Sequence, residues 1–152
     1  MDEYDRKIIS VLSVEGRISM TALGERVGLS KTPVTLRVKR LEESGFITGY
    51  RATLSASKLG IEHIAFIEVK LSDTREKSLQ AFNEAVRKLP EVEACHMIAG
   101  GFDYLIKVRT SDIADYRRVL GEEISTLPNV ASTSTYISMQ SIIDTGPSRP
   151  RA

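Results

Sequence analysis

The sequence predicts an α+β protein in two parts, a short helical unit followed by a larger unit of βαββαβ order. Three observations predict it. Apolar residues recur at helical spacing up to about Ser44. Beyond Ser57 they alternate in four separate stretches, with two helical stretches between them. Gly or Pro stands at many of the joints, where chain direction must change.

The helical part reads in order. Ile8, Ile9 and Leu12 mark a first helix, closed near Gly16. Leu23 and Val27 mark a second, which stops at Gly28. Ser30 is a good N-cap and Pro33 falls in the next first turn, where proline costs little. Val34, Val38 and Leu41 follow at i, i+4 and i+7, and Gly45 ends this third helix. Phe46–Leu54 reads as a short strand. Three short helices and a strand outline a winged or ribbon-extended helix-turn-helix.

In the second part Ala65, Ile67, Val69 and Leu71 share one face of a strand starting at His63. Leu79, Phe82, Val86 and Leu89 make an amphipathic helix that stops at Pro90. Val92–Ala99 is a strand, Gly100 and Gly101 turn the chain, and Phe102–Arg109 is the next strand. Ile113, Tyr116, Leu120 and Ile124 give a second helix, ended before Pro128, and Val130–Ile142 is the last strand. This is the ferredoxin-like order, four antiparallel strands with two helices on one face. The expected division is a helix-turn-helix domain at 1–50, a linker at 51–62, the α/β domain at 63–143 and a loose polar tail at 144–152.

Composition narrows the class. The net charge is +1 in 152 residues, so any attraction for nucleic acid is local. No apolar run reaches membrane-spanning length, and the acidic start is not a secretory signal. The single cysteine, Cys95, excludes an internal disulfide framework and fits a reducing cytoplasm.

The local charge is in and just after the third helix. Residues 31–51 hold Lys31, Arg37, Lys39, Arg40 and Arg51 against Glu42 and Glu43, whereas residues 52–152 hold 12 basic and 13 acidic side chains. With Val34, Val38 and Leu41 buried, Thr32, Pro33, Leu36, Lys39 and Arg40 fall on the opposite face, flanked by Thr35 and Arg37. That arrangement suits a recognition helix in the DNA major groove. Thr32 and Thr35 can hydrogen-bond bases, and Leu36 or Pro33 can meet a thymine methyl. Lys31 adds to the basic stripe, and Arg37, Lys39 and Arg40 suit phosphates or guanine. One such helix reads few base pairs, so a homodimer or larger even-numbered oligomer on a pseudo-palindromic duplex is expected. Ile64 and Phe66 point away from Ala65 and Ile67, which leaves a second apolar sheet face for another subunit.

The loop Gly100–Tyr104 reads two ways. Glycines there let a ligand approach backbone N–H groups that would hold a carboxylate, with Asp103 for an ammonium. The same residues make a hairpin turn in which glycine supplies positive φ. An enzyme needs a nucleophile, base or metal set, and none is visible. Cys95 and His96 are strand neighbours pointing to opposite faces, and no metal, P-loop or hydrolase motif occurs. No catalytic residue, metal ligand or cofactor is expected. The other rival is an architectural DNA-binding protein whose α/β part only oligomerises.

DRKIISVLSVEGRIS, LGERVGLSKTPV, RVKRLEESGFITGY, ACHMIAGGFDYLIKV and LPNVASTSTYISM, in this order and spacing, resemble the Lrp/AsnC transcription regulators from Asp5 to about Ile142. The resemblance implies a DNA-binding domain, a linker strand and an effector domain of βαββαβ fold. It also implies dimers that assemble further, an amino-acid effector and control of amino-acid metabolism or transport. It places the effector at the Gly100, Gly101, Asp103 and Tyr104 loop between subunits, with Met97, Ile113, Tyr136 and Ser138 as pocket-wall candidates. Two positions depart from the usual pattern. Leu36 stands where arginine is common, which implies a different base readout. Gly101 stands where aspartate is common, which implies an effector preference other than leucine.

Overall fold

In the computed structural model, which describes residues 1–148, the chain forms two compact units that divide between Ala52 and Thr53. The first holds helices α1 (Glu3–Val14), α2 (Met20–Val27) and α3 (Lys31–Glu43). Asp2 and Asp5 close a reciprocal capping box on α1, each carboxylate accepting from the other's backbone N–H at 2.9 and 3.0 Å. The Ser19 hydroxyl accepts from the Ala22 N–H and caps α2. Ser30 occupies the N-cap of α3, although its side chain makes no capping bond. Ile8, Leu12, Ile18, Leu23, Val27, Val34, Val38 and Leu41 pack into one core. Each helix thus buries the stripe that its spacing predicted.

The expected strand at Phe46–Leu54 does not form. The Ile47 N–H donates to the Leu41 carbonyl at 3.1 Å, and the Tyr50 hydroxyl donates to Glu42 at 2.9 Å. The segment folds back on the end of α3 instead of pairing. Its β-favouring residues find no partner strand in this unit, and an unpaired strand gains no ladder hydrogen bonds to offset the cost of ordering an exposed chain.

The second unit holds β1 (His63–Leu71), α4 (Glu76–Val86), β2 (Val92–Met97), β3 (Tyr104–Thr110), α5 (Ile113–Val119) and β4 (Val130–Ile137). A wide helical turn, Leu120–Ile124, extends α5. The sheet order is β2-β3-β1-β4, all antiparallel at the paired edges. Ala65, Ile67, Val69, Ile106 and Val108 face Phe82, Val86, Tyr116, Val119 and Ile124 of the helical layer, all buried. The predicted order is therefore found, with strands shorter than expected: β2 ends at Met97 and β4 at Ile137. Ile113 also departs from its predicted stripe. As the first residue of α5 it stands exposed, ahead of the turn that packs on the sheet.

Residue 144, the expected start of a loose tail, is tied down. The Asp144 carboxylate accepts from the Arg109 guanidinium at 2.6 Å and from Lys107 Nζ at 3.0 Å. Pro147 is buried as well. Arg109 is nearly fully buried on β3, and a buried cation requires paired anions. Residues 149–152 of the expected tail lie outside the described residues.

Candidate functional site

Two regions hold the predicted site residues, one in each unit. In the first, α3 follows α2 through a turn built on two glycines. Gly28 adopts φ +78°, the left-handed conformation that ends α2. A Cβ on Gly24 would stand 2.5 Å from the Leu29 carbonyl oxygen, so only glycine lets that turn close against α2. The Leu29 N–H donates to the Gly24 carbonyl at 2.8 Å within it. Gly24 is a positioning residue that helical spacing alone does not reveal, since its role is an absent side chain.

This turn presents one face of α3 outward. Lys31, Thr32, Pro33, Thr35, Leu36, Lys39 and Arg40 are all exposed. Leu36 is 63% exposed, high for a large apolar side chain on a formed helix. The Thr35 hydroxyl donates to the Lys31 carbonyl at 2.7 Å and retains acceptor capacity. Among the described residues Lys39 pairs with Glu43, at 3.7 Å and in solvent, a weak pair.

Arg37 differs from the expectation. Its Nη1 donates to Asp2 at 2.6 Å and to Asp5 at 2.8 Å, and its guanidinium stacks 5.4 Å from the Tyr4 ring. A guanidinium committed to two carboxylates and a ring is a staple between α1 and α3, not a free phosphate ligand. Arg40 is intermediate: Nη2 reaches both Asp5 oxygens, at 2.9 and 2.8 Å, while most of the side chain is exposed. Asp5 itself is 1% exposed. The Asp2 N–H, then Arg37 and Arg40, hold its carboxyl down to about 2 against the opposing cost of burial. An acidic residue in a first turn is ordinary helix chemistry, so Asp5 carries no local signal of this role in the sequence.

In the second unit the loop between β2 and β3 is held at both ends. The Ile98 N–H donates to the Asp103 carbonyl at 2.8 Å, and the Asp103 N–H donates to the Val69 carbonyl at 2.9 Å. The Asp103 side chain accepts from the Leu71 N–H at 2.7 Å, so one of its oxygens already has a structural partner. Gly100 and Gly101 are exposed and neither needs positive φ, which removes the turn-conformation reason for glycine here. A Cβ on Gly101 would meet nothing within 4 Å. Tyr104, expected at the pocket, is a core residue: its ring lies 4.3 Å from that of Phe82 and its hydroxyl donates to Asn83.

The eight predicted effector residues do not converge in one chain. Met97 pairs across the sheet with Tyr104, which pairs with Val69 near one end of β1. Ser138 donates its N–H to Ile64 near the other end, where Thr110, three residues before Ile113, pairs with His63. His63 and Val69 stand about 20 Å apart at the rise of a strand. Tyr136 sits between the ends, opposite Phe66, exposed on the face away from the helices. A cavity of about 300 Å³ in this unit is lined by Ser138 with Arg109, Glu62 and Asp144, and by none of the loop residues.

Enzyme chemistry gains no support. Burial pushes the Cys95 thiol up to about 11, away from the nucleophilic thiolate, and Cys95 and His96 take opposite sheet faces. No cluster of His, Cys, Asp and Glu suited to a metal occurs among the described residues.

A glycine-built turn presenting a polar, basic helix, followed by a separate α/β unit, defines a DNA-binding transcription regulator with a ligand-binding domain. Residues 1–48 match the family described as winged helix-turn-helix DNA-binding, and residues 64–148 match the Lrp/AsnC ligand binding domain. The chain belongs to the Lrp/AsnC family of transcription regulators, which are not enzymes. It is 63% identical to a proline dehydrogenase transcriptional activator of Rhizobium radiobacter, over 96% of this chain and 94% of that one. It is 44% identical to the leucine-responsive regulatory protein of Escherichia coli K12, over 93% and 87%. Among solved structures it resembles a transcriptional regulator from Neisseria meningitidis in complex with L-Met, with TM-score 0.89 and 30% identity over 97% and 95% of the two chains. No helix among the described residues is long and apolar enough to cross a membrane.

Proposed function

We propose that this regulator reads DNA with α3 and answers to proline, controlling the gene for proline dehydrogenase or one of like purpose. The observation that carries the reading is 63% identity to a proline dehydrogenase activator along nearly the whole chain, joined to an outward face of α3 free of core duties. Thr32, Pro33, Thr35 and Leu36 face base edges, Lys31 and Lys39 face phosphates, and Arg40, held by Asp5, reaches the duplex by one remaining approach. Arg37 is left out of this set because Asp2 and Asp5 occupy it.

The effector site is formed between copies of the chain in the cytoplasm. One copy supplies Met97, Gly100, Gly101 and Asp103, with open space at Gly101 for a compact zwitterion. Another supplies Ile113, Tyr136 or Ser138: Ile113 and Ser138 lie toward the other end of the sheet and Tyr136 on the edge strand opposite β2, too far to serve the same ligand from the same chain. The exposed apolar side chains Phe66, Tyr136, Ile137 and Met139 favour a dimer or a larger even-numbered assembly. The proposed division keeps DNA reading in 1–50 and effector binding in 63–143, joined by 51–62.

Calorimetry with each standard amino acid, paired with gel shifts on the proline dehydrogenase promoter, tests this. Proline is expected to bind and to change promoter affinity or assembly. If leucine binds and proline does not, or the promoter is bound no better than unrelated DNA, the reading fails.

A further inference from the structure

We propose that Asp5 sets the sequence selectivity of α3 by taking Arg37 away from DNA and fixing Arg40 by a single nitrogen. This rests on the reading of α3 as the DNA-contacting helix. The two arginines are one turn apart on α3, and a free guanidinium at either place would reach the phosphates of any duplex. Such contacts add affinity without information. The buried Asp5 carboxylate removes that freedom. It meets Arg37 Nη1 at 2.8 Å and both of its oxygens meet Arg40 Nη2, while Asp2 accepts from the same Nη1 of Arg37 at 2.6 Å and the Tyr4 ring lies 5.4 Å from that guanidinium. The Asp5 carboxylate is itself immobile, because the Asp2 N–H donates to it at 3.0 Å and the rest is enclosed. Arg40 therefore leaves Nη1 and Nε for one defined approach. The acidic pair also cancels in space much of the positive charge counted along residues 31–51.

Asp5 thus acts through Arg37 and Arg40, without touching DNA. Replacing it with the isosteric amide, Asp5→Asn, removes the charge and leaves one acceptor oxygen, which cannot serve the Asp2 N–H and both guanidiniums, so Arg40 is loosened and Arg37 depends mainly on Asp2. Affinity for arbitrary duplex is expected to rise severalfold, with a salt dependence steeper by about one unit for the additional phosphate contact. The ratio of specific to non-specific affinity is expected to fall roughly 5–150-fold, the size of one mismatched base pair. Adding Arg40→Gln to Asp5→Asn should return the salt slope to the wild-type value, which loss of structure alone would not do.

The experiment uses the full-length protein, with the best duplex selected from a random library and an unrelated duplex of equal length, titrated over a salt series. Asp2→Asn, at an exposed carboxylate, serves as the second variant and should give a smaller change in the same direction. An unchanged slope and ratio in both variants overturns the proposal, as does a uniform loss of affinity with a shallower slope. If the wild type itself shows no discrimination, it is the assignment of α3 that fails.

Discussion

Asp103 accepts a hydrogen bond from the Leu71 backbone N–H at 2.7 Å, tying the loop after β2 to the end of β1. That relationship separates two ways of removing the carboxylate. Asp103→Ala leaves the Leu71 N–H without its acceptor, at a cost of about 1–2 kcal/mol, and loosens the loop. Asp103→Asn keeps an acceptor oxygen and removes only the charge. If Asp103 pairs with the ammonium of an amino acid, Asp103→Asn should lose effector binding while its melting temperature and basal DNA affinity stay near wild type. Full-strength calorimetric binding by that variant would remove Asp103 from the site.

The contrast between Asp103 and Asp5 shows where sequence reading stops. Core stripes were legible, because Val34, Val38 and Leu41, or Ala65, Ile67 and Val69, follow periods that burial imposes. The outward face of α3 followed from the same geometry. The pairing of Arg37 was not legible, because its partners Asp2 and Asp5 lie more than 30 residues away and no local pattern signals a contact between helices. The packing of Tyr104 on Phe82 was not legible, because alternation puts it on a face without saying which layer covers that face. The strand at Phe46–Leu54 had suitable residues but no partner in its unit, and pairing is a property of two segments.

Asp5 makes stability depend on acid. Its carboxyl is held near 2 in the fold, below its ordinary value of 3.8. The folded state therefore prefers the ionised form, and the stabilisation is complete above the ordinary carboxylate range. It is lost as pH falls from about 5 through 2. The contribution is on the order of 2 kcal/mol at neutral pH. Asp5→Asn should melt below wild type at pH 7, with the gap closing as pH approaches 2. A gap that is constant with pH would mean that Asp5 stabilises by packing and not by charge.

Lys39 and Leu36 share the outward face of α3 but should fail differently. Lys39→Ala removes the proposed phosphate contact, so affinity should drop for every duplex and the salt slope should flatten by about one unit. Leu36→Ala removes an apolar contact and should relax preference at one base pair, by about 1–3 kcal/mol, with the slope unchanged. Selection from random duplexes at two salt concentrations distinguishes them. A change of preference in Lys39→Ala would reverse the assigned roles.

Asp144 and Arg109 give a test of the segment expected to be loose. Arg109 donates to Glu93, to Asp144 and to the Ile61 carbonyl. Asp144→Ala leaves a buried guanidinium short of one anion, and the loss should be about 1–3 kcal/mol. Asp144→Asn, which retains an acceptor, should lose less. Urea unfolding of both variants measures it, and wild-type stability in Asp144→Ala would show that the segment is not held in solution.

Phe66 tests whether the second sheet face is a subunit interface. It alternates with Ala65 and Ile67, which are fully buried against the helices, so its own side chain points to the opposite face. There it neighbours Lys107 and Tyr136 across the strands and remains 38% exposed. A charge placed at Phe66 meets no core atom of its own chain, but it cannot be buried against a second apolar face without a partner. Phe66→Glu should therefore keep the fold by circular dichroism and shift the protein toward monomer by light scattering at micromolar concentration. DNA affinity should fall with it, since two half-sites are then no longer held together. Effector binding should also weaken if Ser138 and the Gly101 loop meet across copies, as proposed. A variant that remains assembled and responsive would show that another surface joins the subunits, and that the effector residues meet in a different way.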